Sequence, residues 1–144
     1  MSKRINISQV EPAGYKAMLG LEGYLHTTQV GKTLRHLIKI KASMINGCAY
    51  CVNMHTREAR KDGETEQRIY LLSAWRETSL YTEEERAVLA LTEEVTLIQN
   101  QVSNETYQNA ERLFGPNLLA QLIMVIVTIN AWNRIAIATE LPLD

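Results

Sequence analysis

Apolar residues recur three and four positions apart over most of this chain, the spacing that gathers them on one face of an α-helix. Ala17, Met18, Leu21 and Leu25 form one such face and predict a helix from near Pro12 to about Thr28. Gly14, Gly20 and Gly23 weaken it, each costing about 1 kcal/mol against alanine. Leu34, Leu37, Ile38 and Ile45 predict a second helix from Gly31 to Ile45, with the stem of Lys41 filling the gap between them. Ile38-Lys39-Ile40-Lys41 alternates as a strand would, but it lies inside this longer helical pattern. Asn46-Gly47 reads as the helix stop, with Gly47 supplying the left-handed residue.

Two further helices follow, one from about Cys48 to Lys61-Asp62-Gly63 and one from Thr65 to about Trp75. Thr82-Glu83-Glu84-Glu85 is a capping-box pattern opening a helix through Leu89, Leu91, Val95 and Ile98. Ser103 is placed to cap a helix ending at Phe114-Gly115, and Pro116 starts the last one. Val125-Ile126-Val127-Thr128-Ile129 has strand propensity. No glycine or proline interrupts the residues after Pro116, so length favours helix. The expected class is therefore all-α, helix packed on helix in a single domain over 1–144.

Leu118 to Val127 is almost wholly apolar, but its uninterrupted run falls short of the roughly 18 residues a spanning helix requires. It is expected to be a buried helix, with no membrane partner. A net charge of −1 with no long Lys/Arg run argues equally against nucleic acid. The Met1-Ser2-Lys3-Arg4 start lacks the apolar stretch of a signal peptide, so the cytoplasm is the expected compartment. A chain of 144 residues needs no disulfide framework. Its two cysteines, three residues apart in a reducing compartment, therefore point to redox chemistry or a metal.

Those cysteines lie in Asn46-Gly47-Cys48-Ala49-Tyr50-Cys51-Val52-Asn53-Met54-His55. At 100° per residue Cys48 and Cys51 are about 60° apart, Cys51 and His55 about 40°, and Cys48 and His55 about 20°. All three share one helix face. If Gly47 ends one helix, Cys48 sits at the start of the next and Cys51 in its first turn. Free amides and the helix dipole favour a thiolate there. His55, one turn on, can take the Cys51 proton, and Cys51 is expected to be the less exposed sulfur. A zinc site would need a fourth ligand beyond Cys48, Cys51 and His55, for which His26 and His36 remain. Two inert buried thiols are the other alternative. Covalent c-type haem is disfavoured, because Val52 rather than histidine follows Cys51.

The Asn-Gly-Cys-x-x-Cys-x-x-x-His core resembles the alkylhydroperoxidase AhpD-like branch of the carboxymuconolactone decarboxylase family. The similarity extends from about Leu34 to Glu94, through Ala74-Trp75-Arg76-Glu77 and Glu85-Arg86-Ala87-Val88-Leu89-Ala90-Leu91-Thr92. The resemblance implies an AhpD-like helical bundle assembling as a homo-trimer or homo-hexamer, and thiol-dependent reduction of hydroperoxides without a bound cofactor or metal. It implies a peroxidatic Cys51, a resolving Cys48 and a proton relay through His55. The reductant would be a dithiol or small thiol, a lipoylated adaptor among them. Two positions depart from the family pattern. The glutamate often found twelve residues before the first cysteine is His36 here, and the histidine that precedes the second cysteine in the best-known members is Tyr50. His36 is thus a candidate relay residue. The family's lactone decarboxylases do not use a Cys-x-x-Cys pair, so that activity, like a non-enzymatic redox sensor, is an alternative.

Overall fold

The computed structural model describes residues 4–143. Among these there are helices and no strand. The α-helices are α1 (Ile7–Val10), α2 (Pro12–Leu25), α3 (Lys32–Asn46), α4 (Ala49–Lys61), α5 (Glu66–Tyr70), α6 (Glu83–Thr96) and α7 (Asn104–Ala138). The start signals act as their sequences predict. Pro12 takes the first position of α2, where its missing N–H costs nothing. Thr82 and Glu85 close a reciprocal capping box on α6. The Ser103 hydroxyl accepts the Thr106 amide at the start of α7.

Three expectations change in detail. The helix expected from Thr65 to Trp75 is α5 followed by a 3₁₀ segment, Leu71–Glu77, in which Ala74 leaves helical geometry. This turn packs Leu72 and Trp75 into the core and aims the Leu72 carbonyl at Lys41. The helix expected to reach Ile98 ends at Thr96 and passes into a short 3₁₀ turn. The third is α1, a single turn that the apolar pattern does not announce and that Asn6 caps. Gly115 adopts φ 76°, ψ 167°, and with Pro116 behind it breaks the long α7 where the sequence places the break.

Helices α3, α6 and α7 form the centre. Ile38 and Ala42 of α3 meet Val88 and Leu91 of α6 and Leu122 and Ile126 of α7. The opposite side of α3 is also covered, with Leu37 and Ile40 packing on Ala59 of α4, Leu72, Trp75 and Leu89. Fully burying one such aliphatic side chain contributes about 1.5–3 kcal/mol. Burial on both sides explains the strand-like alternation Ile38-Lys39-Ile40-Lys41: Lys39 and Lys41 leave the helix between two apolar faces. The Lys41 ammonium is itself buried, donating to the Leu72 carbonyl and facing Glu93 at 3.4 Å.

By length and composition α7 could cross a membrane, and a third of its most apolar stretch is buried. The buried part faces the bundle, and the polar residues that interrupt it hold the neighbouring helices. Asn133, fully buried, donates to the Ser43 hydroxyl, while Asn46 donates to the side-chain oxygens of both Asn130 and Asn133. Here α7 is a core helix of the bundle. Val127 and Ile137 remain exposed on its outer side. Helix α2 buries only Leu25 completely and lies over the bundle, bonded through Glu22 to Lys39 of α3 and Trp132 of α7.

Candidate active site

The turn between α3 and α4 is built by backbone bonds. Gly47, at φ 70° and ψ 32°, takes the left-handed conformation that lets the Cys48 amide reach back to the Ser43 carbonyl (3.0 Å) and its own amide reach Met44 (3.2 Å). Asn46, bonded to α7, fixes the turn from the other side. Cys48 is thereby the N-cap of α4, and its sulfur accepts the Cys51 amide at 3.2 Å. Cys48 and Cys51 are joined as a disulfide with α-carbons 5.3 Å apart, inside the range their spacing predicts. Both are buried to the same extent, so the expected difference in exposure between them is absent. What separates them is the cavity. Cys51 lines it and Cys48 does not.

That cavity has a volume of about 920 Å³ and lies between α2, α3, α4 and the end of α7. Its apolar wall includes Leu19, Met54, Trp132 and Ile135. His55 joins Cys51 in the lining and is buried. Its Nδ1 lies 3.1 Å from Glu58 Oε2. A carboxylate only accepts, so Nδ1 carries the proton and Nε2 is the basic nitrogen of the neutral ring. Burial holds the imidazole pKa below the ordinary histidine value. The Glu58 bond pushes it up, and the Lys39 charge adds to the lowering. At neutral pH His55 is therefore an uncharged base.

His36 lines the same cavity. Its Nε2 donates to Asp62 Oδ2 at 2.6 Å, fastening α3 to the end of α4, and its buried Nδ1 has no partner. The ring sits at the cavity that holds Cys51, with its Nε2 committed to Asp62. The contact holds Asp62 below the usual carboxylate range. His26, the other histidine considered for zinc, caps α2 and also lines the cavity. Among the described residues no three His, Cys, Asp or Glu side chains converge as metal ligands do.

Two cavity residues, Glu22 and Glu58, are not among the candidates read from the sequence. Glu22 of α2 accepts from Lys39 Nζ (2.8 Å) on one oxygen and from Trp132 Nε1 (3.0 Å) on the other. Burial alone would raise its pKa, but these donors and the Lys39 charge hold it below the ordinary value. Glu22 is an anion in the cavity wall. The partners come from α3 and α7, and the Trp132 contact joins residues 110 positions apart. Glu58 was more accessible to sequence reasoning, because residues three apart on a helix are neighbours.

A sequence model of the carboxymuconolactone decarboxylase family matches residues 12–94, more than half of the chain. The chain belongs to the carboxymuconolactone decarboxylase family. Within it, the chain is 45% identical over 139 residues to the uncharacterised protein YdfG of Bacillus subtilis strain 168, covering 96% of this chain and 95% of that one. The crystal structure of a protein of unknown function from Agrobacterium tumefaciens, ATU0492, described as a candidate AhpD antioxidant defence protein, superposes with a TM-score of 0.94. It is 38% identical, with 99% of this chain and 100% of that chain covered. These matches support the AhpD-like branch. A peroxidase-related protein from Silicibacter sp. TM1040 shares the fold at a TM-score of 0.80 and 21% identity, over 93% of this chain and 72% of its own. The family match begins at α2 and ends within α6, so it includes Glu22 and Lys39 as well as the dithiol.

Proposed function

We propose that this protein is a thiol-dependent peroxidase that reduces organic hydroperoxides through Cys51 and Cys48. The observation that carries this reading is the joint opening of Cys51 and a neutral, buried His55 into one large, partly apolar cavity, with Cys48 bonded behind Cys51. A volume of about 920 Å³ suits an organic substrate and far exceeds what hydrogen peroxide fills.

In the reduced protein His55 Nε2 takes the Cys51 proton, and the first turn of α4 stabilises the thiolate. The thiolate attacks the outer oxygen of the hydroperoxide. An S–O bond forms, the O–O bond breaks, and the departing alkoxide takes the proton from His55 to leave as an alcohol. Cys51 is then a sulfenic acid. Cys48 attacks its sulfur, water leaves, and the disulfide closes. A dithiol reductant, such as a lipoylated adaptor, returns two electrons through a mixed disulfide. The amide that Cys48 accepts favours its thiolate, making it the better leaving group, so attack at the cavity-facing Cys51 suits this step.

Mass spectrometry of the reduced protein and its cysteine variants, before and after cumene hydroperoxide, tests the scheme. The native chain loses two thiols and recovers both with dithiothreitol. Cys48→Ser takes up one oxidation at Cys51, and Cys51→Ser loses peroxide consumption. Exchanged phenotypes, or a native chain that keeps both thiols in excess hydroperoxide, sink the scheme.

A further inference from the structure

The charges that line the cavity are unevenly matched along its length. Arg4 pairs with Glu140, Lys39 with Glu22, and Glu58 with His55. At the end where α3 starts and α4 stops, Lys32, Arg35 and Lys61 share the wall with one carboxylate, Asp62, which His36 already bonds. Among the described residues no carboxylate lies within ion-pair distance of Arg35 or Lys61. We infer that Arg35 and Lys61 form a subsite for the carboxylate of an amphipathic substrate, a fatty acid that carries its hydroperoxide in mid-chain. The subsite stands on the geometry of the cavity, while the hydroperoxide rests on the thiol-peroxidase reading.

Helix geometry supplies the length. Lys32, Arg35, His36 and Lys39 are spaced three and four apart on α3 and share the face that lines the cavity. Cys51, Met54, His55 and Glu58 do the same on α4, and Lys61 is its last residue. The His36–Asp62 bond and the 4.0 Å Lys32–Asp62 contact hold the start of α3 against the end of α4, so Arg35 and Lys61 lie at the same end of the cavity. Lys61 is ten residues beyond Cys51, a separation of about 15 Å along the helix. A compact hydroperoxide reaches the sulfur without using the subsite. A fatty chain reaches both.

Beside the dithiol the wall is apolar. Ala136 packs on Cys48 and Cys51. Its neighbour Ile135 lines the cavity, as does Leu141, whose amide bonds back to the Ala136 carbonyl at 2.9 Å. Leu19 of α2 also lines the cavity and is half exposed. A hydrocarbon tail that covers these side chains gains apolar burial. The cavity thus offers cations at one end, then the thiol, then an apolar wall. A carboxylate, a mid-chain hydroperoxide and an alkyl tail follow the same order. Arg35 is half-buried, so its charge is screened less than that of a fully solvated arginine, and its planar fork suits a carboxylate.

Binding and turnover test the two halves separately. Calorimetric titration of the disulfide form with decanoate and with decanol, below micelle formation, reads the subsite without peroxide. The acid should bind at least about tenfold tighter than the alcohol. Arg35→Gln and Lys61→Gln should each weaken the acid several-fold, the double variant should bring it to the level of the alcohol, and Lys61→Arg should keep the preference. Circular dichroism confirms that each variant is folded. Lys61 is exposed, so Lys61→Gln decides even if Arg35→Gln does not fold. Equal binding of acid and alcohol, or undiminished acid binding in folded Lys61→Gln, overturns the subsite. Turnover by the native protein is then followed with dithiothreitol as reductant. Linoleic acid hydroperoxide should show a lower KM than its methyl ester, and equal KM values overturn the substrate class. Selective binding of decanoate with no consumption of either lipid hydroperoxide or of cumene hydroperoxide defeats the peroxidase reading and leaves the subsite standing. Consumption of cumene hydroperoxide without any preference for the acid does the reverse, so the two failures are distinguishable.

Discussion

Two corners of the bundle enclose ionic groups under different conditions. Where α5 meets α6, the three guanidinium nitrogens of Arg68 are all occupied. Nε meets Glu64 at 2.7 Å, Nη2 meets Glu85 at 2.6 Å, and Nη1 donates to the Leu80 carbonyl. The guanidinium also stacks over Tyr81, whose hydroxyl donates to the Arg68 carbonyl. Glu85 closes the capping box of α6, so a helix start and the ionic cluster share one carboxylate. At the dithiol, the ionic groups border open space. Glu22, Lys39, His36 and His55 all line the cavity, and one histidine nitrogen remains buried without a partner. A closed network with every donor matched rigidifies a corner. Charges beside a cavity keep the capacity to act on what enters it. The same residue types thus serve packing in one place and candidate chemistry in the other, and what differs is the room left around them.

The largest expected effect breaks the closed corner. Arg68→Met leaves Glu64 and Glu85 without their cation. It should cost about 3 kcal/mol and lower Tm on the order of 10 °C. Thiol loss with hydroperoxide, measured per folded molecule, should be unchanged. Lost peroxide chemistry with stability intact would dissolve the contrast between the corners.

Acid separates the corners next. The folded-state pKa of His55 lies below its unfolded value, so between about pH 6.5 and the folded midpoint the unfolded chain binds more protons. Stability should fall as pH drops through that window, with a slope of at most about 1.4 kcal/mol per pH unit from this one group. Burial alone would raise the Glu85 pKa, but Arg68 holds it below the ordinary carboxylate value. Its contribution is complete above about pH 4.3 and is lost only as pH falls further, through the folded value. Urea midpoints from pH 7 to pH 3 should therefore show two limbs. His55→Gln should flatten the upper limb and leave the lower.

The smallest effect is expected at His36. Its bond to Asp62 is at the surface, where salt and water weaken such contacts. His36→Gln should change Tm by no more than a few degrees and leave the pH profile of Cys51 alkylation in place. A flattened profile would return His36 to the relay.

Periodicity, capping and punctuation made most of the fold legible. The long helices follow local rules: apolar spacing for their faces, Thr82–Glu85 and Ser103 for their starts, Gly47 and Gly115 for their breaks. The dithiol was legible for the same reason, since Cys48, Cys51 and His55 share one helix and their relation is set by its pitch. The region between Thr65 and Trp75 was harder, because its departure from helix answers to packing of Leu72 and Trp75 against other elements. Asn130 and Asn133 looked like interruptions of an apolar helix and are the groups that hold the α3–α4 turn.

By itself the sequence determined an all-helical chain with a Cys-x-x-Cys pair at a helix start and a histidine one turn later. Those are short-range properties, governed by backbone geometry within a few residues. Only the tertiary structure decided which sulfur meets the cavity, where His36 is tied, and that Glu22 lines the same cavity as His55. These depend on α2, α3 and α7 meeting across long stretches of chain, and burial and long-range charge pairs exist only once those helices have packed.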